Sequence, residues 1–448
     1  MRLGVELFDI TEGQTGGLVP LLKGVLDSLF NGWPDCQVTL FGTSANRNLF
    51  SKLPAHVRSL TLPRDGFFPL LDVYAGYFQL DVLLRSYPGR SDIVFPMQRQ
   101  IVLIPDLQHE FFPEFFATEV LVNRRACFAT ALQEAGAIGT ISNHARQTVL
   151  NHSDNRCSDV FLMPPALRSE WKAPSLDSLT DAERGSLPDR DYFIFPANLW
   201  PHKNHKRLLQ AFAEFLKTTE QPVELVLTGH PEGWEDLQKE FAGLPIRHLG
   251  FTRSCFLQVL LARARALLFF SLFEGFGIPL LEAFASGTPV ACSNTSSLPE
   301  VGGDAVLTCD PTDVSAMGGL MRCLFSDENL RTKLIERGKE RLRAYAWRDS
   351  AAQLYAACQR VMTHSPAEKE APIAPACALN DFVDTVQNDR AARLDVINRL
   401  HATITELQGY LGASQREIQR LETKIARTPY YAVPRLIRKS VNRLFRAS

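Results

Sequence analysis

The sequence lacks the features that mark several common classes of protein. Its 48 basic and 49 acidic side chains nearly cancel, so no strong electrostatic field favours nucleic acid as a partner. The nine cysteines are scattered and never form a CxxC pair, which argues against a disulfide framework and a zinc knuckle. No apolar run approaches the roughly 20 residues that span a bilayer. We therefore expect a cytoplasmic protein that binds no nucleic acid and at most lies on the inner face of the plasma membrane.

The chain length and the hydrophobic pattern predict two α/β domains. A chain of 448 residues exceeds one compact core. In the first predicted domain, 1–168, short apolar runs alternate with helical patterns. These runs lie at 37–41, 57–62, 101–104, 137–141 and 160–163. The pattern lapses over 169–190, which predicts a linker.

The same alternation resumes in a second predicted domain, 191–363. Its strands are predicted at 192–196, 224–227, 246–249, 266–271, 289–293 and 305–308. Alternation of this kind is typical of parallel sheets covered by helices. We expect two Rossmann-like domains that face each other across a cleft, with ligands at the carboxyl ends of the strands.

A different kind of pattern follows residue 364. Prolines predict a second linker over 364–385, and apolar residues at heptad spacing predict a coiled coil over 386–428. The heptad favours a homodimer through 390–428, and a helix lying on the protein's own surface is the alternative. Seven basic and no acidic residues follow Thr423. The tail, 429–448, is therefore either a basic amphipathic helix that brings 424–448 to a membrane surface, or a solvated tail.

Two glutamates flank the predicted start of a helix in the second domain. The segment 274–282 reads EGFGIPLLE and follows a predicted strand. Pro279 fits the first helical turn, and Gly287 fits the left-handed residue that ends the helix. The first backbone N–H groups, at about Gly277 to Leu280, would lie at the positive end of the helix dipole. This arrangement predicts a diphosphate site that needs no metal.

The segment resembles the E-x7-E motif of the retaining GT-B glycosyltransferases of glycosyltransferase family 4. The resemblance covers about residues 1–363. It implies that Glu274 contacts the donor sugar and Glu282 the ribose of a nucleotide-diphosphate sugar. The loop and helix start between them would hold the diphosphate, through Phe276, Gly277, Ile278 and Leu280. It also implies retention of anomeric configuration, with no cofactor beyond the nucleotide-sugar substrate.

A lysine follows the first predicted strand of the second domain. The segment 195–205 reads FPANLWPHKNH, and a lysine there can reach phosphates across the cleft and stabilise the charge on a leaving group. The resemblance assigns this role to Lys203. Relatives often carry an arginine five residues earlier, where this chain has the weaker donor Asn198. His202 and His205 lack metal-ligand spacing, so we predict no metal.

The first domain offers two further candidates. A glycine turn after the first strand ends in Gly16 and Gly17, where the resemblance implies a close approach of the backbone to the donor phosphate or the acceptor. Asp106 and His109 follow the strand predicted at 101–104. Relatives carry a histidine immediately before this aspartate, where the chain has Pro105. His109 therefore either replaces that histidine or is a structural histidine.

Three residues of the second domain are placed to line a nucleobase pocket. They are Thr228 and Gly229, which follow one predicted strand, and Phe251, which follows the next. Turn formation is the alternative role for all three.

These observations predict a retaining, metal-independent hexosyltransferase of surface-polysaccharide assembly. The 195–204 run looks like that of bacterial surface-polysaccharide transferases, many of them mannosyl enzymes, so the expected donor is GDP-mannose and the acceptor a glycan or lipid-linked glycan. Two alternatives remain at this point: a non-catalytic coiled-coil scaffold of a glycan-assembly complex, and a GT-B nucleotide-sugar epimerase.

Overall fold

The computed structural model describes residues 1–11, 16–50, 52–89, 93, 95–153, 159–168, 171, 175–364 and 420. The predicted coiled coil and basic tail lie outside the described residues, except for Arg420. The described part forms two α/β domains, each built on a parallel sheet.

The first domain is a parallel sheet with helices on both faces. Its strands are β1 (Arg2–Glu6), β2 (Gln37–Gly42), β3 (Val57–Thr61), β4 (Val82–Arg85), β5 (Gln100–Leu103), β6 (Ala137–Thr140) and β7 (Val160–Leu162). Its helices are α1 (Leu18–Gly32), α2 (Phe67–Tyr77), α3 (Gln108–Phe111), α4 (Thr118–Glu134) and α5 (Asn143–His152), with 3₁₀ turns at Met97–Arg99 and Pro113–Phe115. The strand order is β3-β2-β1-β4-β5-β6-β7.

The second domain repeats this plan. Its strands are β8 (Asp191–Pro196), β9 (Val223–Thr228), β10 (Ile246–His248), β11 (Ala266–Phe269), β12 (Val290–Ser293) and β13 (Val306–Cys309). Its helices are α6 (Asp181–Gly185), α7 (His205–Leu216), α8 (Trp234–Glu240), α9 (Ser254–Arg263), α10 (Ile278–Ser286), α11 (Leu298–Gly302), α12 (Val314–Ser326) and α13 (Glu328–Leu342), with 3₁₀ turns at Leu176–Ser178, Pro201–Lys203 and Gly303–Ala305. The order is β10-β9-β8-β11-β12-β13.

In both sheets the chain reverses its direction of winding beside the first strand. β1 lies between β2 and β4, and β8 lies between β9 and β11. In open parallel sheets the crevice at such a switch point, at the carboxyl ends of the strands, is where ligands bind. The loops after β8 and β11 therefore meet at the predicted site.

The last described helix corrects the predicted end of the second domain. Helix α14 (Trp347–His364) follows that domain in sequence but packs into the core of the first one, through Ala351, Leu354 and Val361. The Trp347 Nε1–H also donates to the Leu167 carbonyl oxygen at 2.8 Å. Residues 347–363 thus belong with the first domain, because the apolar face of the helix is covered there.

The predicted linker 169–190 also needs a correction. Trp171 and Leu179 are buried in the core of the second domain. Helix α6 begins with a capping box, in which the Thr180 hydroxyl accepts from the Glu183 N–H and the Glu183 carboxylate accepts from the Thr180 N–H. Much of this segment is therefore part of the second domain. Among the residues that the structure describes, each helix is too short or too polar to span a bilayer.

Candidate active site

Lys203 and Glu274 form an ion pair where the two central loops of the second domain meet. The Lys203 Nζ lies 2.6 Å from the Glu274 Oε1, and the two side chains are 14% and 11% exposed. Lys203 ends the 3₁₀ turn after β8, and Glu274 lies in the loop after β11. The pair lies at the switch point of the sheet, the position that the sequence predicts for the leaving group and the donor sugar.

Asn204 fixes the lysine loop. Its backbone is left-handed, with φ of 62°, and its buried Nδ2 donates to the carbonyl oxygens of Phe270 at 3.0 Å and Pro311 at 2.7 Å. The Leu272 N–H donates to the His202 carbonyl oxygen at 2.7 Å. The lysine loop is thus bonded to the start of the glutamate loop, which keeps Lys203 beside Glu274.

Two serines after β12 fix the glutamate loop. The Glu274 N–H donates to the Ser296 Oγ at 3.0 Å. The buried Ser297 Oγ is 2.9 Å from the Glu274 carbonyl oxygen and 2.8 Å from that of Phe276. Ser296 has φ of 54°, a conformation that a serine adopts only where its surroundings impose it. Sequence reasoning missed both serines, because hydroxyl contacts to a distant loop leave no local pattern.

Helix α10 begins and ends as the sequence predicts. Gly277 is its N-cap with φ of 107°, Pro279 lies in its first turn, and Gly287 is its C-cap with φ of 70°. The predicted N–H donors need a correction, however. Leu280 donates to the Gly277 carbonyl oxygen at 3.0 Å and Pro279 has no N–H, so donation to a ligand falls to Gly277 and Ile278. The side chains of Phe276 and Leu280 are buried in the core of the domain, so they support the loop from beneath.

Asp106 of the first domain meets the glutamate loop across the seam between the domains. Its Oδ1 accepts from the Gln108 N–H at 2.9 Å. Its Oδ2 lies only 2.8 Å from where a Cβ on Gly275 would stand. Burial raises the pKa of Asp106, and the negative charge of Glu274 adds to the effect against the opposing charges of Arg124 and Lys203. The structure therefore brings Asp106 to the Lys203–Glu274 pair.

His109 is not brought to this place. Its side chain is 1% exposed and its ring packs against that of Phe128, with the centroids 4.7 Å apart. Burial lowers its pKa to about 4, so the ring is neutral at physiological pH. The position fits the structural alternative, and replacement of the histidine at Pro105 by His109 would need this ring to leave the core.

Another histidine, His144, does reach the seam. Its ring lies 5.8 Å from that of Phe273, the residue before Glu274, and 6.0 Å from that of Phe111. Burial lowers its pKa. Its Nε2 is buried and has no hydrogen-bond partner among the described residues. No pattern in the sequence pointed to His144, because only the fold shows which face of α5 meets the second domain.

Glu300 of α11 joins the domains through the start of helix α5. Its Oε1 accepts from the Asn143 N–H at 2.8 Å and from the Asn143 Nδ2 at 3.0 Å, while its Oε2 accepts from the His144 N–H at 3.1 Å. Ser142, the N-cap of α5, accepts from the Ala145 N–H. The first turn of α5 is therefore capped jointly by its own domain and by the other.

Glu282 is buried in the structure, 3% exposed, and paired with an arginine. Its Oε1 accepts from the Arg168 Nη2 at 3.1 Å. The carboxylate thus lies one helical turn beyond the loop that carries Glu274, as the motif requires. Its arginine partner was not foreseen.

The residues predicted for the nucleobase pocket lie along the neighbouring edge of the same sheet. The Asn198 Oδ1 accepts from the His230 N–H at 2.9 Å, and Gly229, with φ of 125°, packs so closely on Ala197 that a Cβ would lie 2.6 Å from its carbonyl oxygen. Thr228 is buried. Phe251 is 70% exposed, and its ring lies 5.8 Å from that of His230. Through its bond with the His230 N–H, Asn198 joins the loops after β8 and β9.

The glycine turn of the first domain faces the start of α10. A Cβ on Gly17 would lie 3.4 Å from the Ile278 Cδ1, and one on Gly16, with φ of 54°, would meet no atom within 4 Å. Gly17 and Ile278 thus come together across the seam. Within the described part of the chain, no group of three or more His, Cys, Asp or Glu residues could hold a metal ion.

Two Rossmann-like domains that meet at the carboxyl ends of their parallel strands form the GT-B fold. Residues 179–341 match the family of glycosyl transferases group 1, so this part of the chain is similar to that family. The resemblance deduced from the motifs is confirmed by this match, and the GT-B fold by solved structures. One of them is Alr3699/HepE of Anabaena in complex with UDP and glucose, with a TM-score of 0.60, 16% identity, and coverage of 80% of this chain and 99% of that one.

Two mannosyltransferases from Escherichia coli are similar to this chain. The chain is 28% identical to O-antigen chain mannosyltransferase B over 57% of its own length and 69% of that protein. It is 30% identical to the serotype-specific mannosyltransferase WbdA over 56% of its own length and only 31% of that longer protein. These findings support a glycosyltransferase that resembles the mannosyltransferases of bacterial polysaccharides.

Proposed function

We propose that the chain is a retaining, metal-independent hexosyltransferase that moves mannose from GDP-mannose to a glycan or lipid-linked glycan during assembly of a surface polysaccharide. The observation that carries this proposal is the contact of 2.6 Å between Lys203 and Glu274 at the switch point. The names of the relatives support mannose, and the UDP and glucose bound by the Anabaena protein support a nucleotide-diphosphate sugar as the class of donor.

The paired charges suit transfer without a metal ion. Negative charge grows on the diphosphate as the bond to the sugar breaks, and an ammonium group held in a half-buried site stabilises that charge. Before the donor binds, Glu274 offsets the cost of holding Lys203 out of water. In the proposed reaction Lys203 turns to the diphosphate, and Glu274 then accepts from hydroxyls of the sugar.

The proposed acceptor side is the first domain. Asp106 and His144 present polar atoms at the seam, and Gly17 brings backbone close to the start of α10. On the proposed retaining course the departing phosphate takes the proton of the acceptor hydroxyl on the face that the leaving group occupied. The protein then contributes orientation and charge stabilisation.

The test is Lys203→Ala, with transfer measured as release of nucleoside diphosphate and formation of product from GDP-mannose, and from UDP-glucose in parallel. Loss of one such charge-stabilising group costs on the order of 100-fold or more in kcat. Lys206→Ala is a matched control, because Lys206 also forms a 2.6 Å pair with a glutamate, Glu240, but both side chains are exposed. Wild-type turnover by Lys203→Ala would refute the proposal.

Two further measurements address the finer parts of the proposal. The anomeric configuration of the product, followed by NMR from the start of the reaction, must match that of the donor if transfer is retaining. Activity must survive dialysis against EDTA if no metal takes part.

We also propose, from the heptad and the basic tail, a homodimer through 390–428 and peripheral contact of 424–448 with the inner face of the plasma membrane, in an otherwise cytoplasmic protein. Ile404 is one of the apolar residues at heptad spacing, so light scattering on the full chain and on Ile404→Asp tests the dimer. Cosedimentation with anionic vesicles, against vesicles of neutral lipid, tests the tail.

A further inference from the structure

Arg168 lies at the end of the first domain and reaches into the nucleotide half of the site. It follows β7, and its Nη2 lies 3.1 Å from the Oε1 of Glu282, on α10 of the second domain. The arginine side chain is 33% exposed and the glutamate side chain 4%. The pair therefore joins the connection between the domains to the helix that begins at the proposed diphosphate site.

The backbone around Arg168 is fixed on both sides. On one side, the Trp347 indole donates to the Leu167 carbonyl oxygen at 2.8 Å and the Ser350 hydroxyl to the Pro164 carbonyl oxygen at 2.6 Å. On the other side, the Trp171 N–H donates to the Arg168 carbonyl oxygen at 3.0 Å. The guanidinium group is therefore presented from a constrained segment, which reduces the entropy lost when it holds a partner.

A buried carboxylate is costly unless a cation and hydrogen bonds hold it. Arg168 supplies a cation and one hydrogen bond to Glu282, and this charge-assisted bond restricts the directions in which the carboxylate can point. The Arg168 Nε is buried and has no partner among the described residues, so this cation has a further N–H to offer.

We propose that Arg168 is a positioning residue for the donor nucleotide: it holds the Glu282 carboxylate in the orientation in which that group accepts from the ribose hydroxyls. This inference rests on the proposed function, because it takes Glu282 to be the ribose ligand. It adds a residue from the segment between the domains to a site otherwise built from the second domain. Loss of Arg168 leaves Glu282 in place but badly oriented.

The experiment measures nucleotide binding without turnover. The affinity of the full chain for GDP and for 2′,3′-dideoxy-GDP, or for the UDP pair if the wild type prefers UDP, is measured by calorimetry for wild type, Arg168→Gln, Glu282→Gln and the double variant. We expect about tenfold weaker binding of the ribonucleotide in each single variant, and little change for the dideoxy analogue. The double variant should be no weaker than Glu282→Gln alone.

Arg247→Gln is the matched control. Arg247 pairs with Glu224 in the same domain, with Nε 3.2 Å from Oε2, but that glutamate lies near the start of β9, at the opposite end of the sheet from the site. Arg247→Gln should remove a similar ion pair without changing the affinity for the nucleotide. In transfer assays Arg168→Gln should raise the donor KM about tenfold and leave kcat within about twofold.

The outcomes separate the two levels of the proposal. If Glu282→Gln binds the ribonucleotide as wild type does, the assignment of the ribose site fails, and the role of Arg168 fails with it. If Glu282→Gln weakens binding but Arg168→Gln does not, only the role of Arg168 is overturned. If Arg168→Gln weakens ribose and dideoxy nucleotides equally, or adds fully to Glu282→Gln, the arginine acts on another part of the nucleotide and the inference is again overturned.

Discussion

Removal of the Glu300 carboxylate should loosen the contact between the two domains. This side chain accepts three hydrogen bonds from the first turn of α5, at 2.8, 3.0 and 3.1 Å, although it belongs to the other domain. Its main chain is held independently, because Arg341 donates to the carbonyl oxygens of Glu300 and Val301. Glu300→Ala therefore deletes the contact between domains while the second domain keeps its own bonds.

The size of the effect can be worked from the geometry. Loss of a helix N-cap typically costs about 1 kcal/mol, and an anion near the positive end of a helix contributes about 0.3–1 kcal/mol. The contact is partly exposed, which argues against the larger values known for buried charges. We therefore expect the closed arrangement to lose about 1.5 kcal/mol relative to an open one, which is about a tenfold shift in their ratio.

Two measurements check this prediction. Small-angle X-ray scattering should show a larger radius of gyration for Glu300→Ala than for wild type, and kcat/KM for transfer should fall in proportion to the loss of the closed form, by up to about tenfold. Asp304→Ala is a suitable control, because Asp304 is a nearby acidic residue in a 3.5 Å pair with Arg337, also of the second domain. An unchanged radius together with kcat/KM within about twofold of wild type would refute the reasoning.

Three other changes test the surroundings of the site. Gly275→Ala should lower kcat/KM at least tenfold while the Tm stays within a few degrees, because the new Cβ would lie 2.8 Å from the Asp106 Oδ2; wild-type activity would contradict the close approach. Ser297→Ala should lower the free energy of unfolding in urea by about 1–3 kcal/mol, because two carbonyl oxygens lose the buried hydroxyl that they share. An unchanged free energy would mean that this hydroxyl does not stabilise the loop. Burial lowers the pKa of His109 to about 4, so the unfolded chain binds a proton that the folded one does not. The free energy of unfolding should therefore fall as the pH drops from about 6.5 to 4, by up to about 1.4 kcal/mol per pH unit, and His109→Phe should show a smaller slope in urea titrations; an unaltered slope would exclude His109 as its source.

Most of the fold follows from local patterns in the sequence. Strands that are buried on both faces give continuous apolar runs, and such runs predicted β2, β5 and most strands of the second domain to within about two residues. Strand β4 (Val82–Arg85) was not predicted, because its apolar run ends in a charged side chain. Arg85 is nevertheless buried, and its Nε donates to the Glu6 Oε2 at 3.2 Å.

The destination of a helix is harder to predict than the helix itself. The helical pattern before the second linker is evident in the sequence, but nothing in its spacing tells which domain covers the apolar face. In the structure α13 packs on α10 in the second domain, whereas α14 returns to the first and packs on α1. The tertiary contact that decides this is the fit of Trp347 over Gly24, where a Cβ would lie 2.3 Å from the indole ring.

The candidate site likewise contains residues that a local pattern predicts and residues that only tertiary contacts bring there. Residues within one loop or helix start could be selected because the chemistry has a local signature: Glu274 and Gly277 in one segment, Lys203 in another. Arg168, Glu300 and Ser297 act on residues between 20 and 160 positions away in the chain, and no spacing rule connects them. His109 was selected by its position near Asp106, but helix α3 turns its ring into the core rather than towards the seam.

Some contacts of the proposed site lie within the second domain, and others join the two domains. The ion pair of Lys203 with Glu274 lies wholly within the second domain, so the proposed donor site can form there before the domains close. Asp106 and Gly17 touch that site only across the seam, and Glu300 contributes to holding the seam shut. If transfer needs both halves, then donor binding should depend on the second domain together with Arg168, while the rate of transfer should depend on how firmly the rest of the first domain is held against it. Weakening the Glu300 contact should therefore reduce the rate of transfer more than the affinity for the nucleotide, and weakening the Arg168 contact should do the reverse.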